Sequence, residues 1–331
     1  MESPVLVEVT RGPEVESRHR GQIAVVDAAG RLRYQVGNPE IRVCLRSLAK
    51  PFQTLPVLTT GTAAAFGFGS EELALFSGSL SGQDFQVELV QKVLGRLGLD
   101  VSALMCGSHP PLHRPTAAAL TQEGKKPTAL HHTCAGKHTA MLAVCVHQGW
   151  PVAGYLELDH PVQQLIWRTV AEFGGLPVAE VPVALDGCSA PVFYLPLWRI
   201  AWAFARLAAA PANTPENTIM AACLAHPRLI AGDDRLETIL MQALPNRLFA
   251  KTGAEGGFAL ALPEKGLGVA LKIEDGAARA LAPAIIEVLE QMGMLTAEVR
   301  DNLANLRQPA IYNHQKQTVG RVTPVFRLGE V

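Results

Sequence analysis

The sequence predicts an α+β fold whose sheet is built from both ends of the chain. Strand-like apolar runs separated by turn residues occupy roughly the first 50 and the last 80 residues, and helix-like segments lie between them. Hydrophobic residues make up 48% and charged residues 18% of the 331 positions, which excludes a disordered chain and indicates a well-filled core. We expect a single domain over residues 1–331, with a sheet from about residues 1–50 and 250–331 and a helix-rich middle from about residue 51 to 249.

The N-terminal elements are strands followed by one helix. Val5–Val9 alternates weakly, and Gly21–Asp27 and Arg31–Val36 flank a turn, which predicts a hairpin. Another short apolar stretch, Ile41–Leu45, follows. Ser47–Leu58 then reads as a helix, because a proline at position 51 is tolerated in a first helical turn.

The middle of the chain predicts a series of helices. Ser70–Ser77 begins with Ser-Glu-Glu, which suits an N-cap and an acidic first turn, and Gln86–Leu97 is amphipathic. The other predicted helices are Gly136–His147, Pro161–Phe173, Leu195–Leu207 and Pro215–Ala225. The C-terminal part predicts strands Gly257–Leu262 and Gly266–Glu274, helix Ala280–Met292 and strand Thr318–Val325.

Charge and composition exclude several classes of function. The formal net charge is −1, from 29 basic and 30 acidic residues, so no strong field for nucleic acid is expected. No stretch reaches the ~18 uncharged apolar residues of a membrane span, and we expect no membrane partner. Six scattered cysteines and an acidic N-terminal segment without an apolar run favour reduced thiols in the cytoplasm.

The first motif with chemical potential is Ser47-Leu-Ala-Lys50. On a helix this spacing puts the hydroxyl and the amine on one face, about 5–6 Å apart at Cβ. Serine at a helix start also has backbone N–H groups and the positive end of the helix dipole beside it. Alone the motif is weak, since an N-cap serine and a solvated lysine would look the same.

Two further motifs follow in order. Ser77-Gly-Ser-Leu-Ser-Gly-Gln83 lies between predicted helices and alone reads as a linker, and Lys251-Thr-Gly-Ala-Glu-Gly-Gly257 alone reads as a turn before a hairpin. Ser-x-x-Lys, Ser-x-Ser and Lys-Thr-Gly together follow the order of penicillin-binding proteins and serine β-lactamases. Those proteins usually have Ser-x-Asn in the middle, so Ser81 is a departure.

Five separated motifs carry a more specific resemblance over nearly the whole chain. They are Arg46-Ser-Leu-Ala-Lys-Pro51, Ser79-Leu-Ser-Gly-Gln83, Cys134-Ala-Gly-Lys-His138, Asp186-Gly-Cys-Ser-Ala-Pro191 and Lys251-Thr-Gly-Ala-Glu-Gly256. With them the sequence resembles the rhizobial-type (class 3) L-asparaginases, also called bacterial asparaginase II. The resemblance implies a serine β-lactamase/glutaminase-like fold. The sequence departs from that family at Leu80, Gln83 and Ser189, where the family typically has His, Glu and Gly.

The densest group of potential metal ligands runs from His131 to His138. A thiol and three imidazoles suggest zinc, although four such groups within eight residues cannot all converge without a loop. A surface turn before a helix is the alternative. The family resemblance implies a different set: one zinc per chain held by Cys134, Lys137 and Cys188, with Asp186 acting through a water. It implies no organic cofactor.

The resemblance also implies roles in amide hydrolysis. Ser47 would be the nucleophile and Lys50 its base, with Lys251 as a nearby cation and Ser79 relaying the proton between the amines. A second cation and burial would lower the pKa of Lys50 from its reference value near 10.4. The backbone N–H groups of Ser47 and Ala254 would form the oxyanion hole.

The expected activity is that of an L-asparaginase, releasing ammonia from L-asparagine through a β-aspartyl ester. Arg46 would hold the substrate carboxylate, and Asp186 or Glu255 its α-ammonium. A glutaminase or another small-amide hydrolase is the nearest alternative, since one methylene is worth only ~1–3 kcal/mol. A penicillin-binding activity and a non-catalytic amino-acid- or zinc-binding relative are the others. The resemblance also implies a homodimer.

Overall fold

The computed structural model describes residues 2–331. Its strands are β1 Val5–Arg11, β2 Glu14–Asp27, β3 Leu32–Val36, β4 Arg42–Cys44, β5 Val183–Leu185, β6 Pro191–Pro196, β7 Phe249–Gly253, β8 Gly257–Leu262, β9 Leu267–Ile273, β10 Ala310–Tyr312, β11 Thr318–Pro324 and β12 Gly329–Glu330. Its α-helices are α1 Lys50–Thr59, α2 Thr62–Phe66, α3 Ser70–Ser77, α4 Asp84–Arg96, α5 Arg114–Gln122, α6 Ala135–Gln148, α7 Pro161–Gly174, α8 Leu197–Ala208, α9 Pro215–Ala225, α10 Pro227–Ala231, α11 Leu236–Ala243, α12 Leu281–Gln291 and α13 Ala297–Arg307. Among these residues no helix is both long and apolar enough to cross a membrane.

The chain divides into two compact units, and the first holds the large sheet. This unit contains residues 1–43, 195–208 and 250–331. Its strand order is β10-β11-β1-β2-β9-β8-β7, with β3 pairing with β2 and β12 with β3. The 14-residue β2 is the centre: its first half pairs antiparallel with β1, and its second half with β3 and β9. Helix α8 packs against β2, β8 and β9, so these apolar strands are buried along most of their length.

The second unit is mainly helical. It contains residues 44–194 and 209–249. Helix α1 is its centre and packs against α3, α6, α7 and α9, while α3 packs against α6. The start of α6 approaches α3 closely, because a Cβ on Gly136 would lie only 2.3 Å from the Leu75 carbonyl oxygen. A glycine is therefore needed there, and it brings the Cys134 segment next to the end of α3.

The predicted fold class is confirmed. The large sheet is antiparallel in its recorded registers and combines strands from both termini, with most helices drawn from between them. The short sheet β4-β6-β5 was not predicted, nor were β10, β12, α5, α10, α11 and α13. The single domain stays a prediction.

Three expectations about where helices begin were wrong. The N-cap of α3 is Gly69 rather than Ser70, because the Glu72 carboxylate turns back to accept the Gly69 N–H at 2.9 Å. The helix expected from Leu195 begins at Leu197, because Pro191–Pro196 is strand β6. The helix expected from Ser47 is also preceded by a separate 3-10 turn, Arg46–Ala49.

Candidate active site

Ser47 and Lys50 lie where a 3-10 turn runs directly into α1. The turn spans Arg46–Ala49, and the Lys50 N–H donates to the Ser47 carbonyl oxygen. In 3-10 geometry the side chains at i and i+3 eclipse one another, so Ser47 and Lys50 leave the backbone on the same side. Ser47 is partly exposed, whereas Lys50 is fully buried.

The buried Lys50 amine donates hydrogen bonds to two uncharged oxygen atoms. Its Nζ donates to Ser79 Oγ at 3.1 Å and to the Thr133 carbonyl oxygen at 2.9 Å. Burial lowers the pKa of Lys50, although the Cys134 thiolate acts in the opposite direction. No carboxylate of residues 2–331 forms an ion pair with this amine. An amine in such surroundings can serve as a proton acceptor.

The second motif reaches Lys50 through its backbone contacts. The Ser79 N–H donates to the Ile230 carbonyl oxygen at 2.6 Å, and the Leu80 N–H donates to the Thr133 carbonyl oxygen at 3.0 Å. The Thr133 carbonyl therefore accepts from both the catalytic candidate Lys50 and the second motif. Sequence reasoning missed this carbonyl, because a backbone acceptor carries no sequence signal.

Arg46 connects the Ser47 turn to a second polar cluster. Its backbone φ is +46°, a left-handed conformation that costs a non-glycine residue of order 1–3 kcal/mol. Its Nε donates to Asp186 Oδ1 at 2.7 Å. Lys137 Nζ donates to the other carboxylate oxygen at 3.3 Å. Asp186 thus bridges the residue before Ser47 and the Cys134 segment.

The second cluster contains the group of residues that could hold a metal ion. The ligand atoms of Cys134, Asp186 and Cys188 all lie within 4.8 Å of one another. The Lys137 amine, 3% exposed, reaches the same carboxylate. Two sulfur donors and a carboxylate are ligand types that Zn²⁺ prefers, and the Lys137 amine would be an unusual fourth ligand that must first lose its proton.

Without a metal, these groups hold opposite charges. The hydrogen bond from Cys188, with the Lys50 and Lys137 cations, lowers the pKa of Cys134, and the same bond with burial raises the pKa of Cys188. Burial acts to lower the pKa of Lys137, but the neighbouring thiolate and Asp186 outweigh it and raise that pKa. A metal bound through Cys188 and Lys137 would therefore displace protons.

The histidines beside this cluster have other partners. His131 Nδ1 accepts the Thr128 N–H at 3.1 Å, and His132 Nδ1 accepts the Cys134 N–H at 2.9 Å. His138 Nδ1 is bonded to the Tyr155 hydroxyl at 2.7 Å. His109, which the sequence left without a role, accepts the Thr133 N–H through Nε2 at 3.0 Å. Imidazoles thus shape the loop that presents Thr133 and Cys134.

The third motif, Lys251–Gly257, belongs to the sheet unit. Lys251 is fully buried on β7, and its Nζ donates to the Thr252 carbonyl oxygen at 3.0 Å. Ala254 and Glu255 lie exposed in the turn between β7 and β8. Glu255 has a φ of +59°, and its carbonyl oxygen accepts from Lys272 Nζ. The three buried lysines of residues 2–331 all belong to motifs singled out in the sequence.

The family match covers both units, because residues 7–324 match the model of the L-asparaginase II family. The chain belongs to the L-asparaginase II family. It is therefore an amidohydrolase that acts on a small-molecule substrate. No curated protein sequence matches the chain significantly.

Solved structures give only remote similarities. A β-lactamase from Mycobacterium bovis is 15% identical over 83% of this chain and 95% of that chain, with a TM-score of 0.41. Simvastatin synthase from Aspergillus terreus is 13% identical over 86% and 94%, with a TM-score of 0.37. A D-alanine carboxypeptidase from Burkholderia cenocepacia is 11% identical over 87% of this chain and 92% of that chain, with a TM-score of 0.35. The assignment to the L-asparaginase II family rests on the sequence match alone.

Proposed function

We propose that the protein hydrolyses the side-chain amide of L-asparagine, with Ser47 as nucleophile and Lys50 as its general base. The observation that carries the proposal is the fully buried Lys50 amine, 3.1 Å from Ser79 Oγ and without a carboxylate partner among residues 2–331. A lysine becomes a base only when its surroundings favour the neutral form, and burial does so here. The family supplies the reaction class, and this amine supports the Ser-Lys mechanism.

In the first half of the reaction, Ser47 Oγ attacks the amide carbon and its proton passes to Lys50. The negative charge on the amide oxygen would be stabilised by the backbone N–H groups of Ser47 and Ala254, each worth ~3–4 kcal/mol. The C–N bond then breaks. A proton from Lys50, relayed through Ser79, leaves with the nitrogen as ammonia, and a β-aspartyl ester remains on Ser47.

In the second half, water attacks the ester carbon and gives its proton to Lys50. The ester C–O bond breaks, Ser47 Oγ recovers a proton, and L-aspartate leaves. Lys251 is proposed as the cation that keeps Lys50 neutral between these steps. The family resemblance motivates this role, and its test is a Lys251→Met variant, in which the pH dependence of turnover should move upward.

Arg46 is proposed to hold the substrate α-carboxylate. Its side chain is paired with Asp186 and is 29% exposed, and the planar guanidinium suits the recognition of carboxylates. Asp186 is itself only 6% exposed and already binds Arg46 and Lys137. Glu255, in its exposed turn, is the alternative partner for the α-ammonium group.

Zinc is proposed as the metal of the Cys134, Lys137, Cys188 and Asp186 cluster. Thiolates and a carboxylate are ordinary ligands of Zn²⁺, and the Lys137 amine would join them after losing its proton. When bound, zinc would act as a Lewis acid that draws these donors together. Asp186, held there directly or through a water, would then orient Arg46 and the Ser47 turn. A homodimer and a cytoplasmic location stay predictions from the resemblance and the sequence.

The proposed function is tested by measuring ammonia release from L-asparagine and L-glutamine with purified protein. Ammonia from L-asparagine, together with an enzyme mass increase on Ser47 after acid quenching, is the expected result. Equal or faster release from L-glutamine would assign a glutaminase instead. Binding of L-asparagine without ammonia release would assign the non-catalytic alternative.

A further inference from the structure

We propose that Gln83 and Asp233 are positioning residues that hold Ser79 against Lys50, an inference that rests on the proposed function. The two side chains belong to segments 150 residues apart. Neither has a role assigned by the motifs, and Gln83 is a point where this chain departs from its family.

The two residues form a reciprocal pair. Gln83 Nε2 donates to Asp233 Oδ2 at 3.0 Å, and the Asp233 N–H donates to Gln83 Oε1 at 2.9 Å. Gln83 is 6% exposed, whereas the Asp233 side chain is 42% exposed, so the pair joins a buried amide to a partly solvated carboxylate. Only an amide can donate and accept in this way. A carboxylate at position 83 could still accept the Asp233 N–H. It could not donate to the Asp233 carboxylate, and its negative charge would repel that group.

This pair links the segment that follows α10, at Gly232 and Asp233, to the second motif. The Ile230 carbonyl oxygen accepts the Ser79 N–H at 2.6 Å, and the Ala231 carbonyl oxygen accepts the Ser81 hydroxyl at 2.5 Å. Between them and Asp233 lies Gly232, whose φ of +108° and ψ of −177° form a conformation almost restricted to glycine. A Cβ there would lie 2.6 Å from Gln83 Oε1, so the two segments are in direct contact.

Arg228 fixes the Asp233 carboxylate from its other side. Its Nε and Nη2 bond to the two carboxylate oxygens, the Nη2 contact being 3.0 Å. The guanidinium carbon also lies 4.8 Å from the Phe85 ring centroid. Phe85 is the second residue of α4, which begins immediately after Gln83. The two Arg228 bonds thus favour the orientation in which the carboxylate meets Gln83, although both side chains of this ion pair are partly exposed.

The consequence concerns the proton relay. Ser79 Oγ lies 3.1 Å from Lys50 Nζ, and the Ser79 backbone is held by the Ile230 carbonyl. Separation of the two segments would move Ser79 away from Lys50, and a misplacement of 1 Å can cost about 100-fold in rate. The pair should therefore affect kcat more than substrate binding.

The test compares Gln83→Glu with the double variant Gln83→Glu/Asp233→Asn. In the single variant two carboxylates face each other, and in the double variant the Asn amide can donate to the new carboxylate. Gln291→Glu is the matched control: Gln291 Nε2 donates to Glu287 Oε1 at 2.8 Å on α12 of the sheet unit, so the same carboxylate repulsion arises there. Ammonia release, thermal midpoint and zinc content are measured for each protein.

We expect kcat of Gln83→Glu to fall about 10- to 100-fold, with KM changing less than about threefold, and the double variant to recover to within about fivefold of wild type. Gln291→Glu should keep wild-type kcat. Wild-type kcat in Gln83→Glu, or a loss that the double variant does not reverse, would overturn the inference while leaving the proposed function intact. Absence of Ser47-dependent ammonia release in the wild type would overturn both.

Discussion

Two lysines of the helical unit occupy nearly equivalent local positions. Lys50 comes three residues after Ser47 at the start of α1, and Lys137 comes three residues after Cys134 at the start of α6. Both residues are buried: Lys50 is 0% exposed and Lys137 is 3% exposed. The two lysines therefore share the same spacing from a serine or cysteine and are buried to a similar extent.

The surroundings of the two amines differ. Lys50 donates to a hydroxyl and a carbonyl, and burial lowers its pKa. Lys137 faces Asp186 and the Cys134 thiolate, and these negative charges overcome burial and raise its pKa. The comparison teaches that the spacing of three residues fixes where an amine lies, while its charge partners decide whether its pKa is lowered, as a base requires, or raised, as in an ion pair.

The largest expected effect is that of Ser47→Ala. It removes the nucleophile, so kcat should fall by about 10⁴-fold or more. Because Ser47 is partly exposed, the thermal midpoint should stay within a degree or two, as about 0.5 kcal/mol or less is expected of such a change. Ammonia release and a thermal melt on the same sample check both. A variant that keeps a tenth of wild-type kcat would contradict the assignment.

The difference between the two lysines can be tested by comparing the Lys50→Met and Lys137→Met variants. The first should lower kcat about 10³-fold, the range of general-base catalysis, and leave zinc content unchanged. The second removes one partner of a buried ion pair, so the free energy of unfolding should fall by about 3–5 kcal/mol and zinc content should drop. Kinetics, chemical denaturation and metal analysis distinguish the two patterns. Equal loss of zinc from both variants would break the comparison.

Removal of the proposed metal should have a smaller effect on turnover. Cys134→Ala deletes one sulfur donor, and we expect zinc content to fall below about a tenth of wild type and kcat/KM to fall roughly 10- to 100-fold. Zinc analysis is made alongside Cys223→Ala, a buried cysteine outside the cluster. Unchanged zinc and unchanged kinetics in Cys134→Ala would remove the zinc proposal.

The pH dependence follows from the lowered pKa of Lys50. A general base is active when neutral, so kcat/KM should rise about tenfold per pH unit below its pKa and level off above it. Because burial lowers that pKa, the plateau should begin below the ordinary lysine value of about 10.4. Rate profiles of wild type and Lys50→Met check this. The same rising limb in both proteins would assign it to another group.

The smallest expected effect is that of Ser189→Gly. Ser189 has a φ of +66°, where a side chain is strained and glycine is not, so the change should stabilise by about 0.5–1 kcal/mol. Asn246→Gly, at a φ of +61°, is the control and should gain less, because asparagine tolerates this conformation. Chemical denaturation gives both values. A destabilised Ser189→Gly would mean that the serine hydroxyl has a structural partner.

Sequence patterns predicted the local elements well and the long-range contacts poorly. The amphipathic and capped helices α3, α4, α6, α7 and α9 were placed to within a few residues, because their periodicity and boundary residues are local. Asp233 was missed, since nothing within its own segment indicates a contact with Gln83, 150 residues earlier. Resemblance, rather than residue chemistry, named Lys137 in place of His138. In the structure His138 Nδ1 is bonded to the Tyr155 hydroxyl, and the ligand role of Lys137 stays a prediction.

The central claim is that the surroundings lower the pKa of Lys50 and raise the pKa of Lys137 in the metal-free protein. It is tested most directly by NMR titration of ¹³Cε-labelled lysines in metal-free protein, which is tractable with nine lysines in the chain. The Lys50→Met and Lys137→Met variants assign the two signals. We predict that Lys50 titrates below the reference lysine value of about 10.4 and that Lys137 stays protonated above it. Two amines that titrate together, or in the reverse order, would contradict the account.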